Sequence, residues 1–344
     1  MPKMSSFLME SESEMFPCRM ENPRKFFICF VFLHMRNDYI TMSGNELCGH
    51  PTAASYFYGI FGQKVRKIPI DASLGCPNRD GSSGGCIFCN NSSFRPRYLS
   101  GEPGITQQIE AGVRFFRRKL EDCAVLPYFQ TYSNTYGLVK HLISLYEEAL
   151  TYPGVAGIVI ATRPDCFDEE LLDYFEKRFG NSAPEGHPYL LVELGIESTE
   201  DRTLCRINRG HDFECSSEAV HKLSSRGIAV GAHLILGLPG ETEEDWLNHA
   251  ARLSRLPVSL IKLHHLQIVK GTALAAEYER NPGCVHLFSP DEYAVAAKQF
   301  LLNLRRDIAI DRLVSETPAE LLVAPSWGMK PDVFLALFKK MALP

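Results

Sequence analysis

Three cysteines, Cys76, Cys86 and Cys89, fall within fourteen residues, Cys76-Pro-Asn-Arg-Asp-Gly-Ser-Ser-Gly-Gly-Cys86-Ile-Phe-Cys89. Thiolates are soft ligands that suit zinc and iron-sulfur clusters. Gly81, Gly84 and Gly85 give the backbone the freedom to double back, so that three sulfurs can converge. The Cys86-x-x-Cys89 pair alone is equally at home in a zinc clamp or a thiol-disulfide couple. Structural zinc normally takes four protein ligands. No second such pair and no close Cys/His pair follows within about forty residues; Cys123 is isolated and His141 falls in a helical pattern. An iron-sulfur cluster on three thiolates, with one iron left for an outside ligand, explains the number of cysteines. Zinc and structural thiols stand as alternatives.

The whole chain carries 11 cysteines. An odd number scattered through apparent helices and strands is not the dense framework of a small secreted domain, and it points to a reducing, cytoplasmic setting. Cys18, Cys29 and Cys48 lie in the N-terminal stretch. Cys123, Cys166, Cys205, Cys215 and Cys284 read as packed thiols. With 344 residues, 45% of them hydrophobic, the chain can build one large or two medium cores. A net charge of −5 leaves no general basic surplus for holding nucleic acid or an anionic membrane.

The elements that must position the trio alternate along the middle of the sequence. Residues 1–54 show no sustained period and read as a poorly ordered N-terminal extension; their apolar octet Phe26 to Leu33 is too short to cross a bilayer and lacks a signal-peptide pattern. Six mostly apolar runs then recur at Ile68 to Leu74, Leu126 to Thr131, Val155 to Ala161, Tyr189 to Leu194, Ile228 to Leu236 and Leu260 to Val269. Amphipathic stretches separate them, including one from Glu200 to Leu223. Runs apolar on both faces and alternating with helices predict parallel strands covered by helices. The fold class is therefore α/β, a partial (β/α)6 TIM-like barrel over residues 55–270, whose site belongs at the C-terminal ends of the strands. The cysteine loop directly follows the first run. Residues 271–344 form a small C-terminal α/β extension: Ser289-Pro290-Asp291-Glu292 opens a helix running to about Arg306, followed by a strand around Ile308 to Leu313 and a helix from Pro331 to Met341.

The three-cysteine loop after the first strand of a six-unit β/α domain resembles the radical S-adenosylmethionine (SAM) superfamily. The wide gap between Cys76 and Cys86 resembles the branch that contains the Elongator catalytic subunit. Thr162-Arg163-Pro164-Asp165, Val192 to Glu197, Arg206-Ile207-Asn208-Arg209-Gly210-His211, Gly231 to Gly240 and Lys262 to Leu266 look like the YhcC-like bacterial members. The resemblance spans residues 55 to 344.

The resemblance implies a [4Fe-4S] cluster on Cys76, Cys86 and Cys89 whose fourth iron chelates SAM. It also implies reductive cleavage to a 5′-deoxyadenosyl radical and hydrogen abstraction from a substrate. By position in the family pattern, Glu197 and Arg209 contact SAM, Arg209 pairing with its carboxylate. Phe88 covers the adenine or shields the cluster, and Arg163 reaches SAM or substrate. Where the superfamily usually carries Gly-Gly-Glu for the SAM amino group, this chain has Tyr132-Ser133-Asn134-Thr135-Tyr136, so Ser133 and Asn134 stand in. His233 occupies a position that is acidic in some relatives. Of His264 and His265, neighbours on one strand, only one side chain can enter the barrel. The resemblance implies an electron donor such as flavodoxin or ferredoxin. It leaves the substrate open between transfer RNA, which members of the branch modify, a small molecule and a protein side chain. The alternative function is a non-catalytic zinc or iron-sulfur protein.

Overall fold

The computed structural model describes residues 46–81, 84–96, 98–99, 104–116 and 123–341. A two-stranded hairpin, β1 (Glu46–Leu47) and β2 (His50–Pro51), leads into helix α1 (Ala53–Phe61), which Thr52 caps by accepting from the Ser55 N–H. Strand and helix then alternate through β3 (Lys64–Ile70), α2 (Pro77–Asp80), α3 (Ile105–Phe116), β4 (Cys123–Phe129), α4 (Val139–Thr151), β5 (Gly157–Thr162), α5 (Glu169–Phe179) and β6 (Tyr189–Glu197). After β6 come α6 (Asp201–Arg206), α7 (Phe213–Ser225), β7 (Ala229–Leu236), α8 (Glu243–Leu253), β8 (Leu260–His265), β9 (Ile268–Val269) and α9 (Ala273–Arg280). The chain continues through α10 (Pro290–Asn303), β10 (Ala309–Arg312), β11 (Leu322–Ala324) and α11 (Pro331–Lys340). No helix among the described residues is long and apolar enough to cross a membrane.

Seven strands form one parallel sheet in the order β10-β8-β7-β6-β5-β4-β3. The expected partial barrel is present, and the C-terminal segment adds a seventh strand to it through β10. The expected run from Leu260 to Val269 divides. β8 stays in the sheet, while β9 pairs antiparallel with β11. The expected helical stretch from Glu200 to Leu223 also divides, because Asn208 and Gly210 adopt left-handed backbone at φ +55° and +82°.

Side chains two residues apart share a face of a strand. Leu126, Val159, Leu191, Leu260 and Ala309 pack with Phe57 of α1 as an apolar layer inside the curve of the sheet. The larger core lies on the opposite face, between sheet and helices. Two residues further along the strands, Tyr128, Glu193, Lys262 and Asp311 form a polar layer with Lys67 of β3. Lys67 Nζ binds Glu193 Oε1 and Asp311 Oδ2, each at 2.7 Å, and Lys262 Nζ binds Glu193 Oε2 and the Tyr128 hydroxyl. His233 Nε2 lies 3.0 Å from Glu193 Oε2. Burial alone would raise the Glu193 carboxyl; Lys262 and Lys67 outweigh it and hold the group well below the usual carboxylate range. Each buried charge thus has an opposite partner, which its burial requires.

The N-terminal boundary differs from expectation. Residues 46–54, assigned by sequence to the poorly ordered extension, are packed on the domain. Both ring nitrogens of buried His50 meet backbone carbonyls, Ile308 O at 3.1 Å and Leu301 O at 2.7 Å, and Thr52 bridges to Ile310. The rest of that extension, residues 1–45, lies outside the described residues.

Candidate active site

The cysteine loop leaves the C-terminal end of β3. Cys76 caps α2, whose first residue is Pro77, and the Cys76 N–H donates to Asp80 Oδ2 at 3.2 Å. Gly84 and Gly85, at φ +75° and +85°, carry the chain back. A Cβ on Gly85 would lie 2.8 Å from Arg79 Cγ, so the return strand of the loop passes too close for a side chain. The Cys89 N–H closes on Cys86 O at 3.1 Å.

The segment after α6 holds this loop from outside. The Ile87 N–H donates to Ile207 O at 3.0 Å, and Asn208 Nδ2 donates to Gly85 O at 2.7 Å. Asn78 Nδ2 donates to Asn208 O at 2.7 Å and to Cys86 Sγ at 3.4 Å. Arg209 Nη1 also donates to Cys86 Sγ at 3.4 Å. Burial, and then the neighbouring Cys86 and Cys76 sulfurs, push the Cys89 thiol up to about 12. An electropositive centre is needed to hold Cys89 as a thiolate in this setting.

Arg209, Arg163 and Glu197 gather beside the loop. Arg209 Nη2 donates to Gly195 O and pairs with Glu197 Oε1 at 3.8 Å. Glu197 ends β6 in left-handed backbone, φ +68°. Gly195 makes room for both side chains, since a Cβ there would lie 2.6 Å from Glu197 Oε1 and 2.8 Å from Arg209 Nη2. Arg163 Nη2 donates to Arg209 O at 2.8 Å, and its guanidinium is bidentate to Asp165 at 2.8 and 2.7 Å. His211 stands among these groups. Burial, then the Arg209 charge, push its imidazole down to about 4, so it is neutral near pH 7.

Ser133 and Asn134 occupy the loop after β4 and are buried. The Ser133 N–H donates to Gly75 O at 3.2 Å, which ties this loop to the residue before Cys76. Asn134 Nδ2 is committed to three carbonyls, of Phe129, Thr131 and Ala161, at 3.1, 2.8 and 2.8 Å. Only its Oδ1 is left, as an acceptor. Phe88 is half-buried and packs on the main core. Of the histidine pair, His265 stacks on Trp327 at 3.9 Å outside the sheet, while His264 lies 5.6 Å from His233 on the inner side. The five cysteines expected to be packed differ among themselves: Cys166 is buried, Cys205 is exposed, and the other three are intermediate.

Asn78, Asn208 and Gly195 escaped the sequence reading. Asn78 and Asn208 belong to motifs already quoted, but a neutral amide that reaches a sulfur and a loop carbonyl has no spacing signature. Gly195 could have been found inside Val192 to Glu197, where a glycine interrupts an otherwise side-chain-rich strand.

Among the described residues no three His, Cys, Asp or Glu side chains gather tightly enough to hold one metal ion. Three thiols without a fourth ligand fit a [4Fe-4S] cluster, whose thiolates sit on separate irons, better than one tetrahedral zinc. Beside them, four buried polar atoms lack hydrogen-bond partners: the guanidinium donors Arg209 Nε and Arg163 Nη1, the acceptor Asn134 Oδ1, and His211 Nε2, whose role depends on the tautomer. Two donors and one acceptor match a ligand bearing a carboxylate and an ammonium, as the methionine end of SAM does.

A parallel half-barrel with a three-cysteine loop after its first strand defines an architecture that sequence comparison identifies. A model described as the Radical SAM superfamily matches residues 72–253, and one described as the Radical_SAM C-terminal domain matches residues 258–342. The chain belongs to the radical SAM superfamily and is a radical SAM enzyme; the family uses a [4Fe-4S] cluster and SAM, needs a reductant and acts on a substrate. Within it, the chain is 34% identical to YtqA of Bacillus subtilis over 284 residues, 82% of this chain and 86% of that one. It is also 34% identical to YhcC of Escherichia coli K12 over 269 residues, 78% and 84% of the two chains. Among solved structures, Elp3 of the archaeon Methanocaldococcus infernus, with an N-terminal deletion, aligns at a TM-score of 0.57 and 17% identity, a likeness of fold. That alignment covers 80% of this chain and 62% of the archaeal chain, so this chain spans less than two thirds of that structure's length.

Proposed function

We propose that Cys76, Cys86 and Cys89 hold the cluster and that Arg209, Arg163, Glu197, Ser133 and Asn134 line the SAM site, for hydrogen abstraction from a substrate bound in the half-barrel. The observation that carries this reading is the placement of Arg209, which touches Cys86 Sγ and the end of β6 and still has Nε unpartnered in a buried setting. Bound there, the cluster and SAM supply one-electron cleavage of SAM and the 5′-deoxyadenosyl radical.

The protein's own groups do the positioning. Arg209 Nε and Arg163 Nη1 donate to the SAM carboxylate as charge-assisted bonds. Asn134 Oδ1 accepts from the SAM ammonium, with Ser133 beside it, in place of the superfamily's acidic contact. Glu197 pairs with the Arg209 fork at 3.8 Å and would contact SAM beside it. Phe88, between Cys86 and Cys89 and packed on the core, would shield the cluster. Asn78 and Arg209 donate to Cys86 Sγ and so tune the cluster. We assign the reaction to the cytoplasm, with flavodoxin or ferredoxin as electron donor. For substrate we put forward a transfer RNA, on the resemblance to the Elongator branch, contacted over a short segment because the net charge is −5.

Anaerobic reconstitution followed by reduction with SAM tests the proposal. The expected result is cluster absorbance near the visible charge-transfer region and release of 5′-deoxyadenosine, both lost in Cys76→Ala, Cys86→Ala and Cys89→Ala. Zinc binding without a cluster, or full SAM cleavage by Cys86→Ala, would refute the assignment.

A further inference from the structure

The loop after β4 is built inside out. Its polar residues Ser133, Asn134 and Thr135 are buried, while Tyr132, Tyr136 and Leu138 are 40%, 38% and 81% exposed. The buried polar groups make the loop rigid. In addition to the three carbonyls held by Asn134 Nδ2, Thr135 Oγ1 bonds Thr162 Oγ1 at 2.6 Å and the Tyr146 hydroxyl donates to Asn134 O.

Two features of this loop oppose local preference. Tyr132 adopts left-handed backbone, φ +62°, which is strained for a bulky side chain. Leu138 occupies the N-cap of α4, makes no side-chain capping bond there and leaves its apolar side chain in water. Neither is explained by packing, because both side chains point outward.

The loop borders the cysteine loop at both ends. The Tyr132 N–H meets Asn91 Oδ1 at 3.4 Å, two residues past Cys89, and Tyr136 Cε1 lies 3.3 Å from where a Cβ on Gly75 would stand. One exposed cation accompanies it, Lys140 in the first turn of α4; Arg79 on the cysteine loop is also exposed, but its Nη1 donates to Cys89 O at 3.2 Å. The exposed Asp80 beside Arg79 turns its carboxylate to the Cys76 N–H.

Exposed rings on a firmly hydrogen-bonded loop, with a cation close by in sequence, form the arrangement on which unpaired bases stack while phosphates are neutralised. A small number of cations suits a short footprint on a chain of net negative charge. We infer that Tyr132, Tyr136 and Leu138 form a stacking platform at the rim of the radical site for a single-stranded RNA segment, with Lys140 on its phosphates. This inference rests on the nucleic-acid reading of the substrate.

The test uses the full chain with reconstituted cluster and a fluorescein-labelled single-stranded RNA of about twelve nucleotides, titrated by anisotropy. The expected result is a loss of affinity of about tenfold or more for Tyr132→Ala and for Tyr136→Ala, with retention in Tyr132→Phe and Tyr136→Phe, because stacking needs the ring and not the hydroxyl. Thermal midpoints should stay within a few degrees of the parent, since the truncated rings are on the surface. A blunt duplex of the same sequence should bind at least tenfold more weakly. Equal binding by parent and Tyr132→Ala/Tyr136→Ala, or equal binding of duplex and single strand, overturns the platform. The two readings separate on the same preparations: a parent that binds the RNA no more tightly than Tyr132→Ala and Tyr136→Ala refutes the platform alone, whereas a parent that releases 5′-deoxyadenosine but binds no RNA refutes the nucleic-acid substrate as well.

Discussion

Arg209 Nη1 lies 3.4 Å from Cys86 Sγ while Nη2 of the same guanidinium holds the carbonyl of Gly195, so one side chain joins the cysteine loop to the end of β6. Lysine keeps the charge and loses the planar fork. Arg209→Lys should therefore raise the SAM dissociation constant about tenfold or more, measured by calorimetry on reconstituted protein. An unchanged constant would remove Arg209 from the SAM site.

Gly195 tests the same arrangement sterically. An added Cβ would stand 2.6 Å from Glu197 Oε1 and 2.8 Å from Arg209 Nη2, both side-chain atoms. Gly195→Ala should displace both side chains and weaken SAM binding about tenfold, with a stability change of about 1 kcal/mol or less. A large fall in stability with normal SAM affinity would show that the glycine serves packing alone.

Asn78 donates to Cys86 Sγ and to Asn208 O. Hydrogen bonds to a cluster sulfur stabilise the reduced, more negative state. Asn78→Ala should shift the cluster midpoint potential to a more negative value, read by anaerobic redox titration, and slow SAM cleavage under a weak reductant more than under a strong one. A positive shift contradicts this role.

Glu193 faces Lys67, Lys262 and His233 in the middle of the half-barrel. Burial acts to raise its carboxyl, and Lys262 and Lys67 overcome it, so the folded-state value is depressed. A depressed carboxyl contributes stability that is complete above the unfolded value of about 4.3 and is lost as pH falls through the folded value. Glu193→Gln should cost about 3 kcal/mol at pH 7 in urea unfolding, and its gap from the parent should narrow below about pH 4. A gap that is constant with pH would mean that Glu193 serves by shape and not by charge.

The sheet and the cysteine loop were legible because buried parallel strands are apolar on both faces and because three thiols so closely spaced have few uses. The first strand was not: Ile68 to Leu74 reads as the apolar run, yet the strand is Lys64–Ile70, because Lys67 points inward to carboxylates contributed by β6 and β10. A charged residue whose partners lie more than a hundred positions away looks like a surface residue in sequence. The same applies to His50, which is buried through two carbonyls near the end of the chain. Arg209 was found through its motif. Asn78 and Asn208, which hold the loop it touches, were not, since their partners are backbone groups and carry no pattern.

The contact between Lys67 and Asp311 has one more consequence. β3 and β10 are the two outer strands of the sheet, and no backbone ladder joins them. They meet through this 2.7 Å ion pair and through α1 packed beneath. The half-barrel therefore has a seam stitched by side chains, and its girth is set by the reach of a lysine. Parting β3 from β10 would break this ion pair and the packing of α1 but no backbone hydrogen bond between the two strands.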